Sequence, residues 1–332
     1  MQPHSPSRLS KRQPIPTKPP IPGGETDISN IYTVSAGQLT LANNTQLLIP
    51  TGHGFTPGNN VTAFDIDGTY NGTSVNGSWD NSGTASLTGL VTFAGTGSQT
   101  LTTGGTGLGN DFAQLTVGKS SGSLTLTTND LLVTRALTLS GGTLVQSSGR
   151  NVTVDSFTQN GDAYTGGDST IDIASSIVLN AGTFTSTSGG LFVSGGWSNS
   201  GATFNHNSGT VEFDGTGSQN FNVAAPETFN NVTINMPGVS GLEFSGTDVL
   251  SALGTLTFDD GYVDGDFGGV LEAQGNVVLG LNYSGGNALL RFAGAGNQTF
   301  NGTGANNVYN GNVVVDKTAG KVDQLSNLTL DS

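Results

Sequence analysis

Short apolar, polar, apolar triplets return along the chain from about Ile28 onward. They include Leu39-Thr-Leu41, Val91-Thr-Phe93, Leu115-Thr-Val117, Leu124-Thr-Leu126, Leu137-Thr-Leu139, Val152-Thr-Val154, Ile171-Asp-Ile173, Val211-Glu-Phe213, Val232-Thr-Ile234 and Leu256-Thr-Phe258. Successive side chains of a strand point to opposite faces, so each triplet sets two apolar groups on one face and a polar group on the other. Clusters of Gly, Asn, Ser and Asp separate the triplets and supply turns. The pattern predicts many short strands, each with one dry face.

A longer pattern lies over the short one. Phe93-Ala-Gly-Thr-Gly-Ser-Gln99-Thr-Leu101 returns as Phe213-Asp-Gly-Thr-Gly-Ser-Gln219-Asn-Phe221 and as Phe292-Ala-Gly-Ala-Gly-Asn-Gln298-Thr-Phe300. Trp79-Asp-Asn-Ser-Gly83 and Trp197-Ser-Asn-Ser-Gly201 precede the first two copies. Phe112-Ala-Gln-Leu-Thr-Val117, Phe229-Asn-Asn-Val-Thr-Ile234 and Tyr309-Asn-Gly-Asn-Val-Val-Val315 follow the three in turn. The order is kept while the spacing varies, which suits a solenoid with loop insertions better than a propeller. Phe93, Gln99, Phe213, Gln219, Phe292 and Gln298 are the expected repeat core, with the three Phe rings buried in equivalent positions and the Gln side chains inward or at coil corners.

These elements resemble those of secreted bacterial surface proteins with right-handed parallel β-helix repeats, of adhesin or autotransporter-passenger type. The resemblance runs from about residue 28 to the end and implies an all-β solenoid over 28–332, extracellular or on the cell surface. Residues 1–27 fall outside it. They form a basic arm with Pro at positions 3, 6, 14, 16, 19, 20 and 22, for which extended or disordered chain is expected.

Composition supports this reading. Fifty-two Gly, with abundant Ser, Thr and Asn, disfavour helix, and no G-X-Y period points to collagen. The chain has no Cys, so disulfides and thiolate metal sites are excluded. A formal net charge of -14 argues against nucleic-acid binding, and no apolar stretch has the length of a membrane span. The charge is unevenly placed. Arg8, Lys11, Arg12 and Lys18 stand in residues 1–24, which hold no acid, ahead of an acidic body.

Candidate chemistry is sparse. Pectin hydrolases on β-helices carry N-T-D, D-D, G-H-G and R-x-K motifs. Here Gly52-His53-Gly54 precedes Asp259-Asp260, the reverse order, no basic pair follows, and Thr128-Asn129-Asp130 is a scrambled echo of the first motif. Asp259, Asp260, Asp264 and Asp266, spaced by Gly, are candidate ligands for calcium, which prefers oxygen donors; no other cofactor is expected. Arg291 is expected to be a solvated strand residue, and His206 to cap a turn. The reading is a non-enzymatic structural or adhesive element that self-associates head to tail, with surface glycans as a further partner. Val313, Val315, Leu328 and Leu330 would meet the first coil of the next subunit, whose acidic surface would take the arm. A phage fibre or tailspike-like module and a carbohydrate-active β-helix enzyme are the alternatives.

Overall fold

The computed structural model describes residues 25–27, 36–41, 46–48, 60–66, 69–71, 73–75, 78–80, 87–106, 111–238, 240–265, 268–303, 308–327 and 329–330, with side chains described for Trp79 and from Leu90 onward. The described strands pair in parallel and stack as an all-β solenoid of about 11 turns. One coil consists of Ile171–Ile173, Ile177–Leu179 and Thr183–Thr185, which we take to define its first, second and third faces. The next coil sets Gly190–Val193, Trp197–Asn199 and Thr203–Asn205 directly on these three strands.

The triplets explain the core. On the first face Leu131, Val152, Ile171, Leu191, Val211, Val232, Leu256, Val277 and Phe300 follow one another in register, one per coil. All are buried. Each apolar side chain so enclosed contributes roughly 1.5–3 kcal/mol relative to exposure, so the column adds cohesion along the axis. On the third face Tyr164, Phe184 and Phe204 form a ring column with centroids 4.8 and 5.9 Å apart.

Outward polar residues are tied from coil to coil. Asn151 donates from its backbone and its amide to Asp130, and its Oδ1 accepts from the Thr170 backbone and hydroxyl. Asn180 donates to Asn160 and accepts from Ser200. The Asp of Thr128-Asn129-Asp130 is therefore spent in a turn ladder, beside Asn129 with its positive φ of 59°.

The strand Glu25–Asp27 pairs with Gln46–Leu48. The third face is interrupted. Among the described residues Thr203–Asn205 pairs only with the coil before it, and Glu227–Phe229 only with the coil after it. Pro226, which has no backbone donor, stands at the start of the second of these strands, a position where Pro is tolerated.

Candidate functional site

The three Phe rings of the long repeat are all buried, but they are not equivalent by face. Phe93 lies on the second face below Val117, Phe213 on the first face below Ile234, and Phe292 on the third face below Val315. Each Gln lies on the following face. The glycine-rich turn between Phe and Gln therefore rounds a different corner in each copy, and the three copies together occupy all three corners. The expectation of shared positions fails because the spacing between copies is not a whole number of coils. The repeat is a local strand, turn, strand unit, and the three faces are alike enough to accept it.

Locally the copies agree closely. The apolar residue after each Gln sits over the same place in the coil below: Leu101 over Trp79, Phe221 over Trp197, Phe300 over Val277. Trp79 meets Phe93 and Phe112 at 6.0 and 5.4 Å, and Trp197 meets Phe213 and Phe229 at 6.2 and 5.0 Å. Gln219 Nε2 donates to the Val193 carbonyl at 2.7 Å, and Gln298 Nε2 to the Ala273 carbonyl at 2.8 Å. Val193 and Ala273 are the residues directly beneath Phe213 and Phe292. Each of these carbonyls also accepts a backbone bond from the residue after the Phe, Asp214 N–H at 3.2 Å and Ala293 N–H at 2.8 Å, so the Gln adds a second donor at the turn, as a buried amide must find a partner.

The other end of each amide is matched to a residue two positions beyond the one that covers the Phe, Val117, Ile234 or Val315. In the first copy this is Lys119, whose Nζ donates to Gln99 Oε1 and to the Ala94 carbonyl. In the third it is Lys317, on Gln298 Oε1 and the Ala293 carbonyl. Lys119 is only 2% exposed, and burial lowers its pKa. In the second copy the position holds Met236, fully buried, and Gln219 Oε1 has no hydrogen-bond partner. Above these side chains the chain must turn tightly. A Cβ on Gly142 would lie 2.6 Å from Lys119 Cβ, and one on Gly261 would lie 3.0 Å from Met236 Cβ. Both glycines have left-handed φ.

A second polar device closes the break in the third face. Glu227 Oε2 accepts from Asn199 Nδ2 at 2.7 Å and from Trp197 Nε1 at 3.3 Å, side chains of the coil below. Burial pushes its carboxyl above the ordinary range, against the downward pull of these two bonds. Phe204, Trp197 and Phe229 pack around it with centroids 5.0–5.2 Å apart. Glu227 and these rings join the coils where backbone ladder bonds are missing.

The remaining candidates are dispersed. Asp259 is exposed; Asp260 Oδ1 accepts the Gly261 N–H at 2.7 Å in the turn over Met236; Asp264 lies in the second-face part of the strand, and Asp266 is outside the described residues. Among the described residues no three acids or histidines are grouped as a metal site. His206 Nδ1 accepts the Ser208 N–H at 2.9 Å and so closes its turn. Arg291 is not simply solvated, because it pairs with Glu272 at 2.5 Å on the outer side of the third face. Burial pushes the Glu272 carboxyl up, but bonds from Gln274, Arg291 and Ser251, with the Arg291 charge, hold it below the ordinary value. Val313 is half-buried, Val315 and Leu330 are exposed, and Leu328, His53 and the arm residues Arg8, Lys11, Arg12 and Lys18 lie outside the described residues.

No family model, curated protein or solved structure matches this chain. The parallel solenoid is the level at which the chain is placed. Lys119, Lys317 and Met236 are not among the residues expected from the sequence, although Val117-Gly-Lys119, Val315-Asp-Lys317 and Ile234-Asn-Met236 extend the third repeat element by two residues in each copy. Glu227 carries no such signal.

Proposed function

We propose that this chain is a non-enzymatic extracellular structural or adhesive rod that associates end to end with copies of itself. The observation that carries the structural reading is the in-register first-face column from Leu131 to Phe300, combined with outward polar side chains bonded from coil to coil. Such a fold turns its side chains toward axial cohesion. The assembly reading is supported by exposed apolar side chains: Val315, Leu325 and Leu330 are 61, 60 and 58% exposed. Exposed apolar groups near one another favour a partner surface, and a heterologous contact between copies extends into a filament unless it closes into a ring. The basic arm would lie along the neighbour's acidic surface, each exposed ion pair adding at most about 1 kcal/mol and weakening with salt.

Electron microscopy and sedimentation of the full chain over a range of concentrations test this. Filaments or short stacks that shorten in Val315→Lys and Leu330→Asp are expected. A protein that stays monomeric at high concentration overturns the assembly. Removing residues 1–24 should shift the association to higher concentration at low salt, and unchanged behaviour removes the arm from the interface.

A further inference from the structure

The surface around the first corner, between the first and second faces, contains a recess that the ladders do not fill. The coils ending in Ile173 and Val193 cross this corner with the three-residue turns Ala174-Ser-Ser176 and Ser194-Gly-Gly196, whereas the coil above uses the five-residue turn Asp214-Gly-Thr-Gly-Ser218 of the second repeat copy. The longer turn belongs to the next coil and is tied by Tyr262, whose Oη lies 3.1 Å from Ser218 Oγ and donates to Glu243 at 3.0 Å. In the coil below it Gly195 and Gly196 stand where the preceding coil has Ser175 and Ser176, so neither contributes a side chain to the recess. The result is an open groove of about 560 Å³, a size in the range of small-molecule sites.

Its polar groups divide into two sets. The rim is internally bonded: Ser175 donates to Asp155 at 2.9 Å, Ser194 to Asp214 at 2.7 Å, and Ser176 Oγ accepts the Gly196 N–H at 3.2 Å. Ser198, Asn220, Asn222 and Ser245 also line the groove, and their side chains make no hydrogen bond among the described residues. They sit on adjacent stacked strands, Ser198 directly below Asn222. Two primary amides and two hydroxyls, each able to donate and accept, are thus fixed on a rigid sheet with unspent capacity. No lining residue is charged, and Asp155, Asp172 and Asp214 on the flank disfavour an anionic ligand. Burial and the nearby Asp214 charge raise the Asp172 pKa.

We infer that this groove binds a short neutral oligosaccharide, with Asn220, Asn222, Ser198 and Ser245 taking its hydroxyl groups and the Gly195-Gly196 backbone forming the floor. Alternating donors and acceptors at fixed spacing match vicinal hydroxyl pairs, and a recess open to solvent is accessible to a sugar chain. This rests on the adhesive part of the proposed function and locates it, but it does not depend on end-to-end assembly.

Saturation-transfer NMR on the full chain with maltotriose, cellotriose, mannotriose and chitotriose, and trigalacturonate as the acidic comparison, tests the site. At least one neutral trisaccharide should bind and trigalacturonate should not. Gly196→Ser, whose Cβ would sit 3.2 Å from the Asn220 carbonyl oxygen, refills the recess if that neighbour gives by a few tenths of an ångström. It and the Asn220→Ala, Asn222→Ala double variant should weaken binding at least tenfold, while Thr138→Ala on the second face further down the rod should not. Melting curves and rod images of each variant establish that the fold is kept. Binding that survives both variants overturns this site and leaves an adhesive rod intact. The absence of binding by any neutral trisaccharide overturns the inference, and filament formation, measured separately, then decides the structural reading alone.

Discussion

Met236 occupies over Gln219 the place that Lys119 occupies over Gln99, and as a consequence Gln219 Oε1 is buried with no donor. A buried polar atom left without a partner costs about 1–3 kcal/mol, whereas a bond to a charged group returns roughly 1.5–3 kcal/mol. The two corners therefore form a natural comparison within one chain.

Exchanging the two residues should exchange their stabilities. Lys119→Met is expected to lower stability by about 1–3 kcal/mol by removing the charged donor from Gln99, and Met236→Lys to raise it by roughly 1 kcal/mol after the cost of burying an ammonium. Denaturant melts of both variants give the answer. A destabilised Met236→Lys would mean that the second corner is too closed to admit the longer polar chain.

Glu227 should make the rod less stable as pH rises through the weakly acidic range. Its carboxyl is pushed above the ordinary value of 4.5 in the folded state, so the fold holds the proton more tightly than the unfolded chain does. Stability from this group is full below pH 4.5, declines as pH climbs to the raised value, and is level beyond it. Glu227→Gln keeps the shape and an acceptor for Trp197 and Asn199, and is expected to flatten that part of the profile with equal or higher stability at neutral pH. A pH profile identical to that of the parent would show that the group is not titrating as argued.

The Glu272 and Arg291 pair acts in the opposite sense. A carboxyl held below its ordinary value adds stability that is present above that value and is lost as pH falls through the folded one. Because both side chains are partly solvated, Arg291→Met should cost only about 1 kcal/mol, less at high salt. A loss of several kcal/mol, independent of salt, would point to packing by the Arg stem instead.

Phe184 is stacked between Tyr164 and Phe204 on the third face, next to the break. Phe184→Ala should cost about 3–5 kcal/mol. In a stacked fold that loss is felt chiefly by neighbouring coils. Limited proteolysis should open the turn around His206 first, and uniform digestion along the rod would contradict this local response.

Much of the fold is legible in the triplets. Alternation located strands such as Val152–Gln159 and Ile171–Ile173, because a two-residue period with a Gly-rich or Asn-rich boundary has little else to become. The buried Phe and Gln positions of the repeat could also be read. Their faces could not, since assignment requires counting coils of unequal length, and the triplets are the same on every face. The Lys119 and Lys317 contacts were hidden for a different reason. Lysine reads as solvent-facing, and only the register of Val117 over Phe93 and Val315 over Phe292 brings each one over a buried amide. Glu227 and the groove depend on a missing ladder and on a difference in turn length between adjacent coils, neither of which a single strand reveals.

The occupation of all three corners by one sequence unit has a consequence for how such a rod can lengthen. Duplicated segments need not measure a whole number of coils, because a remainder of one face is absorbed by rotating the unit to the next corner. A feature borne on the glycine-rich turn of Asp214 to Ser218 would then point in a new direction in each daughter copy, about a third of a revolution away from its parent. Growth by unequal duplication would spread a surface property around the circumference instead of repeating it along one side.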